Sequence, residues 1–309
     1  MLAFALRKVF RAFLTVVLLV TFTFFILRLT GDPAMSLVGL DVPPEALEVF
    51  RVKWGLDQPL WAQYLIYVKQ LAQGDFGRSF IGDRFAWEVV AERLPKTLSL
   101  MGATTLVTLF IGIPLGVVAA VRRGTWVDRL AIGVSVAGLS LPNFVVGILL
   151  ILLFGVGLMW LPTTGSETAW HFVLPVVTMA TSEAAVFARF ARSAMLDVLN
   201  QPYMRTAAAK GRDRPSAILW HALPNAAIPL ITVVGLYLGR LIVGAVVTEN
   251  VFAWPGVGSL LVLSVENRDL AVVQTIVILV GITMVAANLS VDIAYRWLDP
   301  RTMRREGGG

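Results

Sequence analysis

The sequence predicts an all-α integral membrane protein with six membrane-crossing helices, and three observations predict it. The 309 residues are 57% hydrophobic and 15% charged, with a mean hydropathy of +0.76, well to the apolar side of soluble domains. Several uninterrupted apolar runs reach the roughly 20 residues that a helix needs to cross about 30 Å of hydrocarbon at about 1.5 Å per residue. Basic residues gather in alternate connections, as cytoplasmic loops do.

The spans follow in order. The first, about 9 to 29, is opened by Arg7, Lys8 and Arg11; its apolar run is long and lacks a small-residue cleavage site, so it reads as a retained span. The others are expected at about 98 to 121, 131 to 156, 171 to 191, 226 to 248 and 271 to 294. Arg122, Arg123 and Arg129 join spans two and three, and Arg189, Arg192, Arg205, Lys210, Arg212 and Arg214 join four and five. Arg296, Arg301, Arg304 and Arg305 close the chain, whereas the opposite loops, 157–170 and 249–270, carry Arg268 against Glu167, Glu249, Glu266 and Asp269. Both termini are therefore expected in the cytoplasm. The net charge of +6 follows this topology, which argues against nucleic acid as its explanation.

Residues 31–96 mix acids and bases, as a translocated loop does. Leu60, Tyr64, Leu65, Val68 and Leu71 recur at helical spacing there, and "PPEAL" at 43–47 starts a shorter helix, so a helical cap on the outer face is expected. Four spans contain a proline: Pro114, Pro142, Pro175 and Pro229. Each is a place for a kink beside a pathway, or only an ordinary membrane-helix proline. Gly112 with Gly116 and Gly235 with Gly239 suit close helix packing. The division expected is 1–30 for the N-terminus and first span, 31–96 for the outer loop, 97–299 for the remaining five spans, and 300–309 for a cytoplasmic tail.

Chemistry is bounded by what is missing. With no cysteine, thiolate catalysis, disulfides and cysteine metal sites are excluded, and His171 and His221 are too far apart in the chain to form a cluster. No lysine among Lys8, Lys53, Lys69, Lys96 and Lys210 follows a glycine, so there is no phosphate-cradling loop.

The stretch "YMRTAAAKGRDRPSAILWHALPN", 203–225, is the most charged part of the second half. An alanine-rich helix is stopped by Gly211, and Asp213 with Pro215 suits a second helix start. Such a hairpin, small at its tip and basic at its edges, fits a cleft on a soluble partner; the alternative is a basic loop held by lipid headgroups.

The stretch resembles the EAA loop of bacterial ABC importer permeases. Arg205, Thr206 and Ala207 stand at the E-A-A positions, followed by Ala208, Ala209 and Lys210; Gly211 is the glycine, His221 stands at the Ile, and Leu223 and Pro224 are the Leu-Pro. The generic Glu is absent, but Arg-Thr-Ala-x-Ala-Lys-Gly followed by His-x-Leu-x-Asn, ending at Asn225, is similar to the variant of the dipeptide, oligopeptide and nickel permease family. "GDPA" at 31–34, "WGLDQPLWAQY" at 54–64, "GDFGRSF" at 74–80, "RLPKTLSL" at 93–100, "SLPNF" at 140–144, "LPTTG" at 161–165, "NVFAWPGVGSLL" at 250–261, "RD" at 268–269 and "LDPR" at 298–301 match in order. The long loop after span one resembles the first of the two permeases of such systems.

The resemblance implies a type I importer permease fold in the bacterial inner membrane and a coupling loop at about 192–225. It also implies a second, homologous permease as heterodimer partner, two ATPase subunits carrying ATP and Mg, and a substrate-binding protein; the chain itself would hold no cofactor or metal. Peptides or similar solutes are the leading cargo, with nickel, glutathione, opines or oligosaccharides as alternatives. A self-sufficient secondary transporter is the competing class, for which neither an internal repeat nor a relay of intramembrane acids is evident.

Charges inside spans are functional candidates. Asp292 and Arg296 lie four apart on one helix face and suit a local pair. Glu183 lies roughly 14 Å and Arg240 roughly 21 Å above the cytoplasmic ends of their spans, a depth difference of about 7 Å. They can form a buried pair, line an aqueous route with Asn143, or, for Arg240, snorkel outward.

Overall fold

The computed structural model describes residues 2–29, 44–53 and 55–298, without the side chains of some of them, Arg240, Asp292 and Arg296 included. The described residues form helices and the turns and loops between them, with one isolated antiparallel bridge, Arg78 to Phe85. The helices are α1 (Leu2–Leu29), α2 (Pro44–Lys53), α3 (Leu60–Ala72), α4 (Ala86–Val121), α5 (Trp126–Ser140), α6 (Asn143–Leu150), α7 (Val173–Leu199), α8 (Pro202–Ala209), α9 (Arg214–Ala217), α10 (Leu223–Val251), α11 (Val257–Glu266) and α12 (Leu270–Leu298). Wider π turns extend α6 over Ile151–Gly157 and join α9 to α10 over Ile218–Ala222. The chain divides into two compact units, Met1–Thr97 with Pro255–Val285 and Leu98–Trp254 with Ala286–Gly309.

Among the described residues, four helical stretches are long and apolar enough to cross a membrane: Ala86–Val121, Ala169–Leu199, Arg214–Gly239 and Leu270–Ser290. The apolar part of α1, Phe10–Ile26, is shorter. The expected third span, 131–156, is not one straight helix. It is the pair Trp126–Ser140 and Asn143–Gly157, bent by 96°. Pro142 is the cause: it has no N–H to continue the ladder, and it drives Leu141 out of the helical region to φ −101°, ψ 131°. Pro114 and Pro229, by contrast, sit within unbroken helices.

In the first unit, α2 and α3 form where the outer loop predicts helices. α3 turns Tyr64 and Tyr67 toward α1: Thr21 Oγ1 and Tyr64 OH are 2.7 Å apart, and Phe24 meets Tyr64 edge-on and stacks on Tyr67 at 5.5 Å. Of the predicted row, Leu60, Leu65 and Val68 stay exposed, and Tyr64, with Tyr67 beside it, makes the contact with α1. The core joins Ala86 and Val90 of α4, Val257 and Leu260 of α11, and Val272 and Ile276 of α12. A buried carboxylate fastens the turn before α12: Asp269 accepts from Ser79 Oγ, from the Phe80 N–H at 3.4 Å and from the Val272 N–H at 3.5 Å. Burial pushes the Asp269 carboxyl above the usual carboxylate range, against the pull of these hydrogen bonds.

In the second unit α7 is the central helix, and its inward face is mostly alanine: Ala180, Ala184, Ala185, Ala188 and Ala191 are all buried. α4 presses Gly112 and Gly116 against it. A Cβ added at Gly112 would stand 2.8 Å from the Ala184 carbonyl oxygen, and one at Gly116 would overlap that of Ala188. Gly138 of α5 meets the Thr181 carbonyl in the same way, and Phe187 of α7 packs edge-on against Tyr237 of α10 at 5.3 Å. Gly235 and Gly239 are buried on α10.

The backbone contact sets an expected outcome. Gly116→Ala lowers the melting temperature of the purified protein by several degrees, corresponding to overpacking of about 1–3 kcal/mol. Gly102→Ala, on the same helix with open space around it, is neutral or stabilising by up to about 1 kcal/mol through helix propensity.

Candidate functional site: a helical hairpin between α7 and α10

The hairpin begins where α7 ends at Leu199. Pro202 starts α8, where a missing N–H is harmless and a fixed φ helps. α8 closes in a Schellman arrangement: the Gly211 N–H donates to the Ala208 carbonyl at 3.0 Å and the Arg212 N–H to that of Ala207 at 3.2 Å. This requires Gly211 in the left-handed region, at φ +80°, where a Cβ would be strained. Asp213 then caps α9, its Oδ2 accepting from the Ser216 N–H at 3.2 Å. The glycine stop and the Asp213 start are both as the sequence predicts.

The return limb needs a wider turn. Pro224 cannot donate to a carbonyl one turn back, and the chain passes it through the π turn Ile218–Ala222. Asn225 Nδ2 donates to the His221 carbonyl at 2.7 Å, and the Arg212 guanidinium donates to His221 Nε2 at 2.9 Å. The His-x-Leu-x-Asn pattern is thus a local brace across the hairpin. Met204, Ile218 and Leu223 pack on the buried cluster of Ala120, Ala194, Met195, Ala222 and Ala226, and Arg214 donates to the Val121 carbonyl at 3.3 Å.

Packing of the base leaves the tip outward. Arg205, Thr206, Ala208, Ala209, Lys210 and Gly211 are exposed, while Ala207 and His221 are half-buried and border a shallow hollow of about 440 Å³. The hollow offers small side chains with Lys210 and Arg212 at its edge. Asp213 also borders it.

One feature of this end escapes sequence reading. Arg192, in the last third of α7, makes a two-pronged ion pair with Asp128 in the first turn of α5, Nε to Oδ1 at 2.6 Å and Nη2 to Oδ2 at 2.9 Å. The Gly124 N–H also donates to Asp128 at 2.9 Å. Asp128 is 5% exposed at its side chain and Arg192 24%. The available signal was a lone acid among Arg122, Arg123 and Arg129.

The residues expected to line a route are not drawn into one site by the described contacts. Asn143 opens α6 immediately after the Pro142 bend, and Glu183 lies on α7; both are half-buried. Arg240 is on α10, and its side chain lies outside the described residues, as do those of Asp292 and Arg296.

Comparison with known proteins fits this arrangement. Residues 112–304 match the binding-protein-dependent transport system inner membrane component, and residues 1–101 match the N-terminal membrane component of binding-protein-dependent transport systems. The chain is 42% identical over 276 residues to the glutathione transport system permease protein GsiC of Escherichia coli strain K12, covering 89% of this chain and 90% of that one; the Shigella dysenteriae serotype 1 protein matches equally. A chain of the MetNI methionine ABC transporter, in an inward-facing conformation, superposes with a TM-score of 0.59 at 19% identity, over 69% of this chain and 97% of that one. That likeness concerns the fold. The two family matches define a membrane subunit of a transporter. The chain belongs to the binding-protein-dependent transport system inner membrane component family: it is a multi-pass inner-membrane permease subunit of an ABC importer, of the dipeptide, oligopeptide and nickel type.

The Asp128–Arg192 pair sets a second expected outcome. In a double-mutant cycle of Asp128→Ala and Arg192→Ala, unfolding of the purified protein shows a coupling of about 1–2 kcal/mol, below the value for a fully buried pair because Arg192 is partly open to solvent.

Proposed function

We propose that this chain forms one half of the pathway of an ATP-driven importer for peptides or similarly sized solutes, and that its hairpin at 192–225 docks an ATPase subunit. The observation that carries the reading is the hairpin's construction: a glycine-terminated helix with a small exposed tip, braced at His221 and rooted on the α7–α10 cluster. The likeness to a glutathione permease supports peptide-like cargo, glutathione being a tripeptide. Nickel, opines and oligosaccharides are the other cargo classes of the same reading.

In this reading α1 and the bent α5–α6 pair each count as a span, giving six, with both termini in the cytoplasm and the 31–96 loop outside. A second, homologous permease completes the pathway. ATP and Mg bind on two partner ATPases, and a substrate-binding protein delivers cargo to the outer face. Closure of the ATPases moves the hairpin, and α7 and α10, fused to its ends, carry that motion into the bundle. Transport is then a shift between inward-open and outward-open populations, driven by contacts at the loop because this chain supplies no energy of its own. Asn143, Glu183 and Arg240 are assigned to the wall of the route.

The test uses cells carrying the whole transporter. Gly211→Trp has open space around its Cβ, so the chain folds and inserts at a local backbone cost of about 1–2 kcal/mol. ATPase copurification and uptake both fall at least about tenfold, equivalent to about 1.4 kcal/mol of lost docking. Gly211→Asn, which tolerates the left-handed conformation, keeps most of both. Retention of both by Gly211→Trp refutes the docking role. For the route, Arg240→Ala lowers uptake while assembly and coupled ATP hydrolysis stay normal; unchanged uptake removes Arg240 from it.

A further inference from the structure

Two positive charges of the hairpin have no use within the chain. The side chains of Arg205 and Lys210 are exposed and make no hydrogen bond or ion pair among the described residues. The other bases of the hairpin are engaged: Arg212 donates to His221 Nε2 at 2.9 Å and Arg214 to the Val121 carbonyl at 3.3 Å. Asp213 is the acid between Pro202 and Asn225, and its Oδ2 accepts from the Ser216 N–H at 3.2 Å to cap α9. The hairpin is therefore basic on balance, and its carboxylate already serves the hairpin's own fold.

A lone exposed cation is ordinarily just solvated. These two differ in their position on the docking surface. Ala208 and Ala209 stand three and four positions after Arg205, on its side of α8, and Thr206 and Ala207 stand four and three before Lys210. A partner close enough to touch these small residues takes both cations partly out of water. A charge covered without a counter-charge weakens an interface strongly, whereas a facing carboxylate offsets the loss of water and speeds encounter.

We infer that the surface receiving the hairpin is acidic, with carboxylates of the ATPase subunit facing Arg205 and Lys210. The inference rests on the docking role proposed above and names the chemistry of that partner. Anionic lipid is the competing counter-charge. Segments that lie on a membrane surface combine their bases with large apolar anchors, and the run Arg205 to Gly211 holds threonine and alanine between its two cations.

The test uses the whole transporter, purified through a tag on this chain in nanodiscs of phosphatidylcholine alone or with phosphatidylglycerol. Raising NaCl from about 0.05 to about 0.5 M lowers ATPase retention at least about fivefold in both lipids. Arg205→Glu combined with Lys210→Glu lowers retention at low salt at least about tenfold, and the double change to Gln falls between. The melting temperature of the permease alone stays as in the wild type, because neither side chain has a partner to lose. A zero-length carbodiimide, which joins an amine only to a carboxylate in direct contact, links the wild-type permease to the ATPase through Lys210, as peptide mapping shows. That cross-link decides independently of any variant. The inference is overturned if no cross-link forms at Lys210, or if the double reversal retains the ATPases as the wild type does. Dependence on salt and charge that appears only with phosphatidylglycerol also overturns it and assigns the cations to lipid. Should Gly211→Trp release the ATPases while charge reversal does not, docking stands and the acidic surface falls; should neither release them, the docking role fails and the inference with it.

Discussion

The second unit depends on one constraint: α4 and α7 must approach until backbone touches backbone. In hydrocarbon there is no solvent to drive apolar faces together, so helices associate through close van der Waals contact, and that contact is largest where side chains are smallest. Gly112 and Gly116 on α4, facing Ala184 and Ala188 on α7, provide it. The alanine face so anchored also receives α5 at Gly138, and Phe187 on the same helix receives α10. A helix that is clamped along its length can carry a displacement applied at its end.

That end is where the hairpin is attached, and its design separates rigidity from reach. The base is hydrophobic and buried around Met195 and Ala222. The tip has almost no bulk and is held in shape by backbone hydrogen bonds, not by packing. A surface of this kind loses little side-chain entropy on being covered, because alanine and glycine have little to lose. Arg192, paired with Asp128, ties the start of α5 to the same helix that leads into the hairpin.

Much of this was legible in the sequence. The all-helical class, the glycine stop at Gly211, the Asp213 start and the helices at 44–53 and 60–72 follow from local rules of capping and periodicity that need no knowledge of the fold. What was not legible depends on partners distant in the chain. Pro142 and Pro229 look alike in sequence, yet one stands at a 96° bend and the other within a continuous helix. At Pro142 the preceding Leu141 leaves the helical region, whereas the residues before Pro229 stay in it. The glycine pairs signalled close packing without naming the partner helix. Asp128 drew no expectation from the sequence, since its significance lies in Arg192, 64 positions away. The helical row of α3 was visible, but the exposure of Leu60, Leu65 and Val68 was not, because the contacts on α1 are made by Tyr64 of that row and by Tyr67.

The bend at Pro142 also bears on the lipid. Trp126–Ser140 and Asn143–Gly157 each hold 15 residues, or about 22 Å of helix, short of the roughly 30 Å of a bilayer's hydrocarbon. A straight helix longer than the membrane can tilt to fit; two short arms meeting at nearly a right angle have no such adjustment. Hydrophobic mismatch at this place is met by thinning the leaflet or by placing protein alongside. Bilayer thickness therefore enters the energetics of this chain at one identifiable corner, which makes lipid composition a variable in how its subunits fit together.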